Sequence, residues 1–423
     1  MGGDTLAAEQ VDLKACYQAV RQTTQWLCQP LVTEDYVLQS MPDASPIRWH
    51  IAHVTWFFET FILIPHAPGY RQFNQQFGYL FNSYYNAVGP RWPRPQRGVV
   101  SRPTVEEIYA YRRHVDERMM ELLQRGSLPG DLADLVILGC HHEQQHQELM
   151  QTDLKHALAI NPIDPVYRPA PLATGSAPAH KWLPFAERLA WIGHQGASFA
   201  FDNESPRHRT FLHSFQIGSR LVSNREYLAF MEDDGYGRPE WWLSEGWNTC
   251  QSQQWAAPLY WDRRQGPWTL FTLCGRRPLV LDEPVCHVSF FEADAFARWA
   301  GARLPTEAEW EVAAADQPLA GHFLEGHNFH PSSALAADDC GPPHQLYGDL
   351  WQWTGSAYLG YPGYRPAAGA LGEYNGKFMC NQFVLRGASC ATPRSHARLT
   401  YRNFFPPAAR WQFTGIRLAK DAL

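Results

Sequence analysis

The chain has 423 residues, 45% hydrophobic and 18% charged, with 36 Lys and Arg against 42 Asp and Glu for a net charge of -6. That length predicts two or three domains with ample core. With 17 Trp, 18 Tyr and 23 Phe the composition excludes a disordered chain, and the mild acidity without a basic stripe excludes a nucleic-acid partner. No stretch approaches the roughly 18 apolar residues of a membrane span. The start, MGGDTLAAEQVDLK, lacks the basic end and apolar run of a signal peptide. A soluble cytoplasmic protein is expected, and its nine scattered cysteines, with no CxxC pair, are expected to be reduced thiols.

In chain order, residues 9–29 carry Val11, Leu13, Tyr17, Val20, Trp26 and Leu27 at helical spacing. A second run, PIRWHIAHVTWFFETFILI, begins at Pro46. Thr104 with Glu107 three residues on reads as a capping box opening a third helix. A fourth run extends from about Asp131 to Ile160. Four amphipathic segments predict an N-terminal helical bundle.

The stretch NPIDPVYRPAPLATGSAPAHKWLP reads as a linker. Beyond it, short apolar pieces alternate with Gly, Pro and Asp turns. Two helices are predicted there, in VSNREYLAFME and SFFEADAFARWAGA, with long loops over about 232–287 and 319–380. The fold class is therefore α+β with two domains, residues 1–175 and 176–423.

His142 and His146 sit in the fourth helical run, and residues four apart share a helix face, so both imidazoles can address one ion. HEQQH also fits HExxH, the zinc-peptidase signature, but the third ligand such an enzyme needs is missing from the expected downstream spacing. A histidine from the second run, His50 or His53, is the better third ligand, because an antiparallel bundle can bring it level with the pair.

At this point motifs converge. The N-terminal half resembles the DinB-like helical domain. The C-terminal half resembles the formylglycine-generating (sulfatase-modifying) fold through RLPTEAEWE, YGDLWQWT, VLRGASCAT and FTGIRLAKD. With those two halves in this order, and with WHIAHVTWFFET, LFNSYYNAVG and HEQQH in the first, nearly the whole chain resembles the ergothioneine-type sulfoxide synthases, which are non-heme iron enzymes.

The resemblance implies Fe(II) ligands at His53, His142 and His146. The remaining coordination positions would go to the substrate imidazole, a sulfur donor and oxygen. It implies coupling of trimethylhistidine (hercynine) with a thiol and O2 to give a sulfoxide. The Tyr84–Tyr85 pair stands where a cysteine-using branch carries its proton donor. Gln145 and Asn403 match the family's glutamine and asparagine that contact hercynine, and Phe404, beside Asn403, is a further candidate for that pocket. Phe405 stands where the γ-glutamylcysteine-using type has an acidic residue, and GEYNGKFMCNQFVLRGAS offers no counterpart of that type's catalytic tyrosine. Both departures imply cysteine or another small thiol or selenol as donor. Arg97 and Arg102 are candidates for its carboxylate, since guanidinium pairs bidentately with carboxylates.

Four further readings stand beside this one. A selenoneine synthase would take a selenosugar. A synthase of the ovothiol type is expected to carry a methyltransferase domain, for which the chain leaves no room after Leu423. A zinc hydrolase or thiol transferase of the broader DinB group is an alternative of a different class, and a binding module with a dead metal site is another. Cys380 and Cys390 are read as structural or free thiols, not as the copper site of formylglycine-generating enzymes.

Overall fold

The helices of the first part follow the apolar spacing closely. The computed structural model describes residues 12–126, 128–170, 175–263, 266–334, 343–367 and 369–422. Helix α1 spans Leu13–Cys28 and is capped by Asp12, whose carboxylate accepts the Ala15 N–H at 3.0 Å. The predicted start before Asp12, Val11 included, lies outside the described residues.

Helix α2, Ile47–Phe58, follows Pro46 and is buried at every position, as its all-round apolar surface requires. It continues into a wider π turn, Glu59–Leu63, a feature common beside functional sites. Helix α3, Val105–Gln124, opens on the predicted capping box: Thr104 Oγ1 accepts the Glu107 N–H, and Glu107 accepts the Thr104 N–H. Helix α4 is long, Gly130–Ile160.

The chain divides into two compact units, Met1–Ser83 with Val88–Met150, and Tyr84–Ala87 with Gln151–Leu423. Among the described residues the first is helical, and every strand belongs to the second. The architecture is mixed α+β.

The second unit opens with β1 (Trp182–Phe185), β2 (Arg188–Ile192), β3 (His208–Leu212) and β4 (Phe215–Gly218). Helices α5 (Asn224–Glu232) and α7 (Phe290–Trp299) are the two predicted. Two more were missed, α6 (Ser244–Ser252) and α8 (Glu307–Ala314). Helix α8 carries a capping box of its own, Thr306 with Glu309, the signal that identified α3. The expected loop over 232–287 also holds short antiparallel strands, Trp261–Asp262, Thr269–Thr272 and Gly275–Pro278. Such brief pieces show too few alternations to be read as strands.

The central sheet comprises β5 (Trp351–Ala357), β6 (Phe383–Arg386), β7 (Asn403–Phe405) and β8 (Thr414–Gly415), in the order β7-β6-β5-β8. Its register pairs Leu385 with Asn403 and Val384 with Phe404. Trp351 and Trp353 on β5 are buried, and the Trp353 indole donates to the Val288 carbonyl at 2.9 Å. Gln352 Oε1 accepts from Trp310 Nε1 on α8 at 2.8 Å and from Arg417 Nε at 2.7 Å. These bonds satisfy buried polar groups while fixing helix to sheet.

Candidate metal centre

Helices α2 and α4 build a cluster of imidazoles. His53 on α2 and His142 and His146 on α4 each offer a ring nitrogen within 4.8 Å of the others, and all three are buried. Ring centroids lie 4.9 Å (His53–His142), 4.8 Å (His53–His146) and 4.7 Å (His142–His146) apart. Four-residue spacing on one helix face supplies two rings and the neighbouring helix supplies the third.

Hydrogen bonding orients the cluster. The Phe81 carbonyl lies 2.6 Å from His53 Nδ1, and a carbonyl accepts only, so Nδ1 carries the proton and Nε2 keeps its lone pair. That Nε2 is buried with no hydrogen-bond partner among the described residues. An orphaned, correctly tautomerised imidazole nitrogen beside two more imidazoles fits a bound metal ion. His50 Nδ1 lies 2.8 Å from His146 Nδ1, so His50 stands behind a ring of the cluster.

Trp49 and Trp56 both stack on the His53 ring, at 4.6 and 5.5 Å. Burial, then the neighbouring imidazoles, lowers His53 and His146 well below their ordinary value. Burial pushes His142 down to about 3. All three rings are therefore neutral at physiological pH, the form that ligates metals.

Glu143 occupies the position where a zinc peptidase carries its general base. Here it is fully buried and accepts hydrogen bonds from Arg21 Nη1 at 2.7 Å, Arg112 Nη2 at 2.7 Å and Thr24 Oγ1 at 2.6 Å. Burial raises its pKa, but Arg112, Arg21 and Thr24 outweigh that and bring it down to about 2. A carboxylate held by two guanidiniums is a structural anion with little basicity left. The HExxH match is thus coincidental in chemistry.

Of the other sequence candidates, Gln145, Arg97 and Arg102 belong to the first unit. Gln145 is half-buried on α4, adjacent to His146. Arg97 is buried, with its guanidinium carbon 3.3 Å from the Trp49 ring centroid, Nη1 donating to Ser45 Oγ at 2.8 Å and Nη2 to Ser83 Oγ at 3.2 Å. Arg102 is exposed, and donates to its neighbour's carbonyl, Ser101, at 3.1 Å. The two arginines thus occupy different environments.

Tyr84, Tyr85, Asn403 and Phe404 belong to the second unit, where Phe378 links the tyrosine pair to Phe404. The Tyr84 and Tyr85 rings are 4.8 Å apart, Phe378 meets Tyr84 edge-on at 5.2 Å, and the same Phe378 stacks on Phe404 at 5.9 Å. Phe404 also stacks on Tyr358 at 4.0 Å. Burial raises Tyr84 well above the ordinary tyrosine range, reinforced by the hydroxyls of Tyr85 and Tyr374. Tyr374, Phe378, Glu373 and Lys377 escaped the sequence reading, since each acquires meaning only through contacts almost 300 residues away. Cys380 is exposed and Cys390 buried, and neither forms a disulfide among the described residues.

Comparison with known proteins agrees with this layout. A DinB superfamily model matches residues 17–150, and a sulfatase-modifying factor enzyme 1-like domain model matches residues 190–342 and 325–422. The hercynine oxygenase of Mycolicibacterium smegmatis is 32% identical over 417 residues, covering 90% of this chain and 92% of the relative. That of Mycobacterium tuberculosis is 32% identical over 413 residues, with 90% and 92% covered. Ergothioneine biosynthesis protein 1 of Schizosaccharomyces pombe is 26% identical over 233 residues, covering 53% of this chain and 28% of the relative. With both domains present in the same order and a third of its residues shared along nearly the whole length of two such enzymes, the chain belongs to the hercynine oxygenase family.

Proposed function

We propose that the chain is an iron(II)- and O2-dependent oxygenase that joins the sulfur of cysteine to imidazole C2 of hercynine, giving hercynylcysteine sulfoxide in cytoplasmic ergothioneine biosynthesis. The observation that carries this reading is the buried three-histidine cluster in a chain so similar to hercynine oxygenases. The reaction balances as thiol, imidazole C–H and O2 giving sulfoxide and water. One oxygen atom goes to sulfur, and the S–H and C–H hydrogens leave in the water.

Iron(II) would be held by His53, His142 and His146, and when bound it would supply the activation of O2 and the oxidising power. The protein's own contribution begins with charge. Three neutral imidazoles leave the site more cationic than a two-histidine-one-carboxylate set, which favours a donor entering as thiolate. Glu143 does not reduce that charge, because Arg21 and Arg112 neutralise it.

Tyr84 and Tyr85 are assigned the proton that the reduced oxygen requires. Their raised pKa values keep both hydroxyls protonated at neutral pH and able to donate. Gln145, Asn403 and Phe404 are assigned to hercynine, whose trimethylammonium group can be attracted by aromatic rings. Arg97 and Arg102 are assigned to the donor carboxylate.

Supplying iron-loaded enzyme with hercynine, O2 and, in turn, cysteine, γ-glutamylcysteine and a selenosugar tests the reading by mass spectrometry. Cysteine is expected to give the coupled sulfoxide fastest. Preference for γ-glutamylcysteine would overturn the donor assignment, and coupling to the selenosugar alone would make the enzyme a selenoneine synthase.

A further inference from the structure

The segment bearing Tyr84 and Tyr85 is held by charge. Glu373 accepts the backbone N–H of Ala87 at 2.8 Å through Oε1 and that of Asn86 at 3.0 Å through Oε2. Two successive N–H groups converging on one carboxylate form an anion-binding concavity. Lys377, four residues after Glu373, pairs with it at 3.1 Å and donates to the Tyr84 carbonyl. Its ammonium also lies 5.1 Å from the Tyr84 ring centroid. The rings of Tyr374 and Phe378 meet the Tyr84 ring at 5.8 and 5.2 Å. Residues 373–378 thus grip Tyr84 at its carbonyl and its ring, and grip the two peptide N–H groups that follow Tyr85.

The gripping segment is itself fastened. Asn375, buried, donates to Asp202 Oδ1 at 2.6 Å, and Tyr364 donates to Asp202 Oδ2 at 2.8 Å. Phe201 stacks on Tyr374 at 5.5 Å. Asn86 and Ala87 are exposed, so burial does not hold their backbone. Glu373 holds both of these amides, and Lys377 holds Glu373 and the Tyr84 carbonyl.

We propose that Glu373 and Lys377 are positioning residues, a backbone clamp that sets where the Tyr84 and Tyr85 hydroxyls point and thereby whether the thiol is coupled or merely oxidised. This rests on the reading of the tyrosine pair as proton donor given above. Without a correctly aimed donor, the same thiol and O2 combine to a sulfinic acid, taking both oxygen atoms, and hercynine is left unreacted.

The test uses Glu373→Gln, Lys377→Met and the conservative Lys377→Arg, beside Tyr84→Phe with Tyr85→Phe. Amide hydrogen exchange of Asn86 and Ala87 is read on metal-free protein, and the sulfoxide-to-sulfinate ratio on iron-loaded enzyme. Glu373→Gln and Lys377→Met are expected to speed exchange at those amides about tenfold, the factor set by one charge-assisted hydrogen bond. The melting temperature should not move, because part-exposed ion pairs add little global stability. The product ratio should shift towards sulfinate, and Lys377→Arg should restore both readouts. Unchanged exchange would overturn the clamp. So would faster exchange with a wild-type product ratio in an enzyme whose ratio the tyrosine variant does shift. A wild-type ratio in the double phenylalanine variant would instead reject the tyrosine reading, and the positioning role with it.

Discussion

His50 and His146 face each other Nδ1 to Nδ1 at 2.8 Å, so one ring must donate to the other, and the pair fixes the orientation of His146 in the cluster. Partners of this kind on ligating histidines typically contribute 10–100-fold in metal affinity. His50→Phe is expected to weaken Fe(II) or Co(II) binding by about that factor, measured against a competing chelator, with an unchanged circular dichroism spectrum. His50→Asn, which can place a polar atom near the lost Nδ1, should recover part of the affinity.

Glu143 contributes to stability and not to the chemistry. Breaking a buried pair costs about 3–5 kcal/mol, and Glu143→Gln leaves Arg21 and Arg112 short of their anion. Urea unfolding should report a loss of that order, while the folded fraction still binds metal. Because the folded pKa of about 2 lies below the ordinary 4.5, the carboxylate's contribution is complete above pH 4.5 and fades as the pH falls towards 2.

The histidines act in a higher window. His53, His142 and His146 are held neutral by burial below their ordinary value of 6.5, whereas the unfolded chain takes up protons there. Stability of the metal-free protein is therefore present above pH 6.5 and lost as the pH falls below it, by about 1.4 kcal/mol per pH unit for each ring. Unfolding midpoints between pH 7 and 5 should show this slope. Replacing His142 by Phe should make it shallower, and an unchanged slope would contradict the burial of a neutral ring.

On the proposed reading the tyrosine pair sets product identity. Phe at Tyr84 or Tyr85 is expected to slow sulfoxide formation or divert the thiol to sulfinic acid, read as the product ratio by mass spectrometry. An unchanged ratio in the double variant contradicts their role as proton donors.

Much of this was legible in the sequence, and the reasons are local. The Thr104–Glu107 box placed α3 to the residue, and the four-residue spacing of His142 and His146 placed two rings on one face. Helix α8 carried the same box and was passed over, because its eight residues show little apolar periodicity. Helical spacing leaves His50 and His53 as alternatives; the resemblance points to His53, and tertiary contacts distinguish the two, a carbonyl 28 positions away for His53 and an imidazole 96 away for His50. Glu373 reaches Asn86 and Ala87 across some 290 positions, a distance at which no periodicity carries information.

The most direct test of the account is anaerobic loading of the metal-free chain with Fe(II), followed by hercynine, cysteine and O2, for the wild type and His142→Ala side by side. The account predicts one iron per chain and a coupled sulfoxide, with both lost in His142→Ala. Tight zinc in place of iron, with peptide hydrolysis or thiol transfer and no coupled product, would contradict it.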